Sequence, residues 1–225
     1  MSAEWDAACV EGDHASLSSP VLAELEAEIF EHLKGSWCSE QKAKLLIELV
    51  VLTRPGACVE IGAFSGSTTL PILAGLRHVG SGRGYVVEAW SNEEAIRGLP
   101  NDDAHTSWWE SVDMATVRSQ FDQMLETWSL RSWCEVLAEA SGQAVSQLPA
   151  IDLLHLDGNF STEGAALDSE QYLPRVVAGG HVVMSNVLAT VAGRPTKTLA
   201  LWPLFDACDI VCEVDGGNTL LFRKR

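Results

Sequence analysis

The stretch Cys58-Val59-Glu60-Ile61-Gly62-Ala63-Phe64-Ser65-Gly66-Ser67-Thr68 runs from an apolar, strand-forming segment into a turn with two glycines and then toward a helix. A strand, a glycine turn and a helix in this order form the first unit of a doubly wound α/β sheet, the place where such sheets bind ligands. Gly62 permits close approach of a ligand to the backbone, Gly66 lets the chain turn into the helix, and Glu60 offers a carboxylate to a cationic or hydroxyl group. The spacing lacks the full Gly-x-Gly-x-x-Gly of dinucleotide binders, and a glycine turn alone also has a purely structural reading.

Working outward, residues 84–88 read as the next buried strand, and they end on Glu88. An acid at the end of the second strand, about twenty residues beyond a glycine turn, is placed to bind two ribose hydroxyls. Trp90 then either lies against a nucleoside base or serves as a core or lid tryptophan. Residues 134–137, 151–156 and 181–184 read as further buried strands. Residues 68–76, 117–130, 142–148 and 163–177 carry helix-compatible patterning, with Gly179-Gly180 as a stop signal. Upstream, Val21, Leu22, Leu25, Ile29 and Phe30 recur at helical spacing, and Ser39 precedes a second amphipathic stretch over 44–52. Downstream, two β-prone runs, 208–214 and 219–223, flank Asp215-Gly216-Gly217-Asn218 and read as a hairpin.

This alternation predicts an α/β fold: a Rossmann-like, doubly wound, mostly parallel seven-stranded sheet with a C-terminal antiparallel hairpin and two N-terminal helices. The chain reads as one domain over 1–225, with an N-terminal helical cap over 1–55 and a Rossmann-like core over 56–225. Residues 91–113 are the least regular, and Trp108-Trp109 make them a candidate cover over a pocket.

Two later segments supply further candidates. Ser141-Gly142 follows the third strand, where a small polar residue opening a helix is an N-cap or touches a ligand edge. In Ile151-Asp152-Leu153-Leu154-His155-Leu156-Asp157-Gly158-Asn159, alternation leaves Asp157 at the carboxyl end of a buried strand, the edge where such sheets do chemistry. Asp157 and His155, which share one side of that strand, are the catalytic candidates; a histidine in an apolar strand also reads as a hydrogen-bonded core residue.

The bulk properties narrow the partners. The 225 residues carry 31 acids against 15 bases, a net charge of −16, which repels nucleic-acid backbones and anionic membranes. Six scattered cysteines without metal-ligand pairing fit reduced thiols, and no secretory signal or spanning stretch is evident, so a cytoplasmic location is expected. A homo-oligomer is compatible with the sequence.

Taken in order, these segments resemble the class I S-adenosylmethionine-dependent methyltransferases over nearly the whole chain, most closely small-molecule O-methyltransferases of the macrocin type, with some likeness to the catechol type. The resemblance is carried by Val-Glu-Ile-Gly-Ala-Phe-Ser-Gly-Ser from Val59, Glu-Ala-Trp-Ser-Asn-Glu-Glu-Ala from Glu88 and Ile-Asp-Leu-Leu-His-Leu-Asp-Gly-Asn from Ile151. Asp168, Tyr172-Leu173-Pro174 and Gly179-Gly180 complete it. It implies S-adenosylmethionine as cofactor, with Glu60, Gly62 and Gly66 around the methionine part, Glu88 at the ribose, Ser141 at the adenine, and Asp157 facing the sulfonium and the acceptor. Ala63, Phe64, Ser65, Ser67, Ala89, Trp90 and Gly142 complete the candidate cofactor-binding set.

The chain departs from the resemblance at the catalytic edge. Metal-dependent members carry an acid after Asp157-Gly158 or an acidic pair after the next strand, where this chain has Asn159 and Ser185-Asn186; related sequences also carry a histidine where Phe160 stands. Only Asp157 and the neutral amide of Asn186 remain as candidate ligands for Mg²⁺, which prefers at least one or two carboxylates, so the balance is against a metal. The expected activity is O-methylation of a small-molecule hydroxyl. The alternative is an S-adenosylmethionine-binding protein that has lost or repurposed catalysis and acts through an interaction surface.

Overall fold

A computed structural model of the chain describes residues 5–12 and 14–225, so residues 1–4 and 13 of the expected 1–55 cap lie outside the described residues. The elements run α1 (Pro20–His32), α2 (Glu40–Thr53), β1 (Ala57–Ile61), α3 (Thr69–Val79), β2 (Arg83–Val87), α4 (Asn92–Ile96), α5 (Ala104–Ser111), α6 (Met114–Thr127) and β3 (Cys134–Leu137). They continue through α7 (Ser141–Ala144), β4 (Ile151–Leu156), α8 (Thr162–Tyr172), β5 (Val176–Met184), the ribbon β6 (Thr190–Val191) and β7 (Arg194–Pro195), α9 (Thr198–Ala207), β8 (Cys208–Val214) and β9 (Thr219–Lys224).

Seven strands form one sheet in the order β3-β2-β1-β4-β5-β9-β8. The pairs from β3 to β5 are parallel, whereas β9 pairs antiparallel with both β5 and β8. The chain winds outward from β1 to β3 and then returns to β4 on the other side of β1, so β1 and β4 flank the topological switch point, where a crevice opens at the carboxyl ends of the strands.

Strand alternation divides the core between the two faces. Cys58, Val86, Leu153, Val183 and Leu221 pack with α2, α3 and α6, while Val59, Val87, Leu154, Val182 and Phe222 pack with α8 and α9. α2 is apolar almost all round, with everything from Leu45 to Leu52 buried, because it lies within the helical layer. It is therefore part of the core.

Three expectations change. The eighth helix ends at Tyr172 and gives way to a short 3₁₀ turn over Leu173–Arg175, because Pro174 cannot continue an α-helix. Gly179-Gly180 then lie inside β5, not at a helix stop, where the β4–β5 register shifts; a Cβ on Gly180 would crowd Val176 and Val177. The second change is in residues 91–113, which hold two short capped helices: Ser91 accepts the Glu94 N–H at 3.3 Å, and Asp103 accepts the His105 N–H at 2.8 Å. The third is α9, which has no counterpart among the expected elements and carries Pro203 inside it.

Candidate functional site

A cavity of about 740 Å³ opens at the switch point. Gly62, Ala63, Phe64 and Ser67 line it from the turn after β1, Glu88 and Ala89 from the end of β2, Ser141 and Gly142 from the start of α7, and Asp157 from the end of β4. Four separate stretches of sequence thus meet on one wall. The sheet's own hydrogen bonds set them there: Gly62 N–H donates to Val87 O at 3.0 Å, Asp157 N–H to Ile61 O at 3.0 Å and Glu88 N–H to Leu137 O at 3.2 Å.

The glycine turn needs its glycines. Gly62 has φ +84° and a Cβ there would run into the backbone of Asp157 and Gly158; Gly66 has φ +93° and lies against Met124 and Phe121. Phe64 also takes a positive φ of 50° and is held at both ends: its N–H donates to Glu88 Oε2 at 3.0 Å, and its carbonyl accepts Trp90 Nε1–H at 2.9 Å. The other Glu88 oxygen accepts the Trp90 backbone N–H at 2.9 Å. Burial raises the Glu88 carboxyl above its ordinary value, and the amides of Trp90 and Phe64 partly offset this.

Asp157 is also raised by burial, a shift opposed by the positive charges of Lys42 and Lys197. Asn186 Nδ2 donates to Asp157 Oδ1 at 2.5 Å, and among the described residues no protein donor reaches Oδ2. Ser141 Oγ donates to Asp168 Oδ1 at 2.5 Å while Tyr172 Oη donates to the Ser141 carbonyl at 2.7 Å. Burial pushes Asp168 up to about 6. Ser141 is the first residue of α7 and makes no capping bond, so the N-cap reading is corrected: its hydroxyl is tied to α8. Asp168 and Tyr172 are four apart on that helix, a spacing that puts both on the face toward Ser141 and was readable in the sequence.

Several candidates do not reach the cavity. Glu60 is buried and takes Thr68 Oγ1–H at 2.5 Å, the Thr69 hydroxyl and His155 Nδ1 at 3.0 Å. His155 is fully buried, with Nε2 2.9 Å from Ser185 Oγ. This serine–histidine–glutamate chain has the order of a nucleophile triad, but it is sealed inside the sheet, so His155 takes the core role and leaves the catalytic set. Trp90 packs on Phe121 at 5.1 Å and under the Arg118 guanidinium at 5.1 Å, outside the cavity, which corrects its placement against the base. Ser65 and Gly66 also stand outside the lining.

The structure places further residues at or behind the wall that were not in the candidate set. His105 lines the cavity, its Nε2 accepting Trp109 Nε1–H at 3.0 Å. Asn159 donates to the carbonyls of Glu94 at 2.9 Å and Arg97 at 3.1 Å. Lys197 is buried just behind, its Nζ donating to Asn159 O at 3.0 Å and lying 5.1 Å from the Phe160 ring centre; burial lowers its pKa. The six cysteines are free thiols. Among the described residues no helix is long and apolar enough to cross a membrane.

Comparison with known proteins gives a consistent picture. The family described as "Methyltransferase domain" matches residues 59–187, more than half of the chain. No curated protein matches by sequence. Among solved structures, the O-methyltransferase NovP is similar at 15% identity and a TM-score of 0.62, covering 82% of this chain and 78% of its own. An O-methyltransferase from Bacillus cereus in complex with SAH (S-adenosylhomocysteine) is similar at 14% identity and a TM-score of 0.59, covering 93% of each chain. TomG from Streptomyces achromogenes, an O-methyltransferase involved in tomaymycin synthesis and in complex with SAM, is similar at 13% identity and a TM-score of 0.58, covering 92% of this chain and 90% of its own.

Proposed function

The chain belongs to the methyltransferase-domain family, and from that premise we propose that it transfers the methyl group of S-adenosylmethionine to a hydroxyl of a small molecule. The observation that carries this reading is Glu88: an acid closing β2 beside the glycine turn, on the wall of a cavity that Asp157 also reaches. Similar folds in complex with SAM or SAH support the choice of cofactor. When bound, that cofactor supplies an electrophilic methyl on a sulfonium.

The chain's own residues supply the rest. Glu88 accepts the ribose hydroxyls, Ser141 and Gly142 border the adenine, and the turn from Gly62 to Ser67 borders the methionine part. The five carboxylates on the wall, Glu88, Glu94, Glu139, Asp157 and Asp168, suit a positively charged donor. Asp157 receives the acceptor's proton: burial makes it more basic than a free carboxylate, and Asn186 orients it. Orientation and exclusion of water provide most of the rate in an in-line transfer of this kind.

Mg²⁺ does not fit this donor set. Asn186 turns its Nδ2 toward Asp157, and the Asn159 amide is engaged by two backbone carbonyls, so no second carboxylate adjoins Asp157 at either position. No step is routed through a metal.

Calorimetry with S-adenosylmethionine and with NAD, followed by transfer of labelled methyl groups to a panel of hydroxyl compounds, tests the proposal. NAD binding without S-adenosylmethionine binding would overturn it.

A further inference from the structure

The acceptor half of the cavity is walled by aromatic rings from four separate segments. Trp37, between α1 and α2, stacks on Phe64 of the glycine turn with centroids 4.8 Å apart and planes 24° apart. Trp108 of α5 lies 5.4 Å from Trp37 at 57°, and Trp109 lies 4.8 Å from Trp108 and 5.7 Å from Phe64, edge to face. Phe160, just beyond Asp157 in sequence, closes the row 6.3 Å from Trp109. All five line the same cavity as Asp157.

Packing alone does not account for this wall. Trp37 and Trp108 remain 61% and 43% exposed, so two of the largest apolar side chains in the chain stand half open to water at the rim of a concave site. Exposed aromatic surface grouped at a cavity is the mark of a ligand that covers it. Tryptophan and phenylalanine faces at these separations select flat π-systems, because offset stacking and edge contacts add to simple area burial.

Charge narrows the class further. The lining carries five carboxylates and a single guanidinium, Arg97, which is already paired with Glu94. The nearby ammonium groups, Lys42 and Lys197, are buried outside the lining, and Lys197 is bonded to the Asn159 carbonyl. A carboxylate, phosphate or thioester-linked nucleotide brought here would lose water and meet no free cation. A neutral or cationic aromatic loses less and gains attraction from the acids and from the ring faces.

We propose that the acceptor is a planar aromatic alcohol that is uncharged or cationic, held against Trp37 and Trp108 with its hydroxyl toward Asp157, and that anionic and saturated alcohols are excluded. This rests on the methyl-transfer reading above and names the substrate class of the same site.

The test uses the full chain in two stages. Calorimetry first measures S-adenosylhomocysteine binding, which reports on the donor site alone. The chain saturated with that ligand is then titrated with 2-naphthol, tyramine, 6-hydroxy-2-naphthoate and methyl glucoside, following tryptophan emission, and each is offered as a methyl acceptor. The naphthol and the amine should bind at least about tenfold more tightly than the naphthoate and the glucoside. Trp37→Ala and Trp108→Ala should each weaken naphthol about tenfold, with donor binding measured on each variant to keep the two sites separable. Equal or tighter binding of the naphthoate or the glucoside, or naphthol affinity unchanged in both variants, would overturn the assignment. Loss of donor binding in the parent chain would instead sink the methyl-transfer reading itself.

Discussion

Removing the Glu88 carboxylate should separate a ligand-binding acid from a structural one. In the structure its two oxygens accept the backbone N–H groups of Phe64 and Trp90 at 3.0 and 2.9 Å, so the carboxylate is already oriented and its remaining lone pairs face the cavity wall. A hydrogen bond to a charged acceptor contributes about 1.5–3 kcal/mol, and water competes for this half-buried group. Loss of a ribose diol contact in Glu88→Ala should therefore weaken S-adenosylhomocysteine by about 2–3 kcal/mol, or roughly 30- to 150-fold in Kd. Glu88→Gln keeps the volume but can accept on one oxygen only, so it should fall between the parent and the alanine variant. The pH dependence gives a second handle. Burial raises this carboxyl, so the ionised acceptor is lost as pH falls through that raised value, and donor affinity should fall with it in the parent but not in Glu88→Gln. Calorimetry across pH, with circular dichroism and melting curves to confirm folding, makes the measurement. A folded Glu88→Ala protein with Kd unchanged within about twofold would refute the ribose assignment.

Asp168, pushed up to about 6, contributes stability that is present below the ordinary carboxylate value and lost as pH rises through the folded one; Asp168→Asn should gain about 3 kcal/mol relative to the parent between about pH 4 and pH 7 in urea titrations, and parallel curves would count against it. His155→Asn should cost about 2–4 kcal/mol of stability by stranding Glu60 and Ser185, while leaving the pH profile of turnover in place; a shifted profile would restore His155 as a base. Gly62→Ala, at φ +84° and against the Asp157 carbonyl, should lower stability by at least about 2 kcal/mol, seen as a lower melting temperature. Turnover should survive EDTA, and activity lost to EDTA and restored by Mg²⁺ would show that the donor set around Asp157 has been misjudged.

The strands were legible because they are short apolar or β-prone runs: 134–137, 151–156 and 208–214 coincide with β3, β4 and β8. What the periodicity could not convey is where side chains at those ends turn. Glu60 and Glu88 look equivalent in sequence, each an acid near a strand end, but Glu60 lies within β1 while Glu88 stands one residue past β2. The register sets Glu60 beside Val86, so Glu88 stands two positions nearer the carboxyl edge; Glu60 therefore joins Thr68, Thr69 and His155 inside, and Glu88 reaches the cavity. Trp90, two residues further on, takes a positive φ of 46° and packs its ring on Phe121, a placement that periodicity does not convey. The short helices of 91–113 were missed because five- and eight-residue helices carry too little periodicity; their caps, Ser91 and Asp103, were the readable signal.

The departures at 159, 160 and 186 acquire a physical meaning once the cover is in place. A carboxylate at Asn159 would attract a cation, but it could not donate to two carbonyls, and it is this donation, to Glu94 and Arg97, that ties the end of β4 to α4. From α4 the side-chain amide of Asn92 donates to the carbonyls of Trp109 at 2.7 Å and Val112 at 2.9 Å, so a chain of amide donors runs from the Asp157 edge to the helix bearing Trp108 and Trp109. Phe160, in place of a histidine, adds a ring to that aromatic wall and is backed by the Lys197 ammonium. Asn159 and Phe160, together with the Asn92 amide, thus link the Asp157 edge to the aromatic wall. On the proposed reading these donors supply orientation, which for transfer of an already activated methyl group is the contribution that matters most.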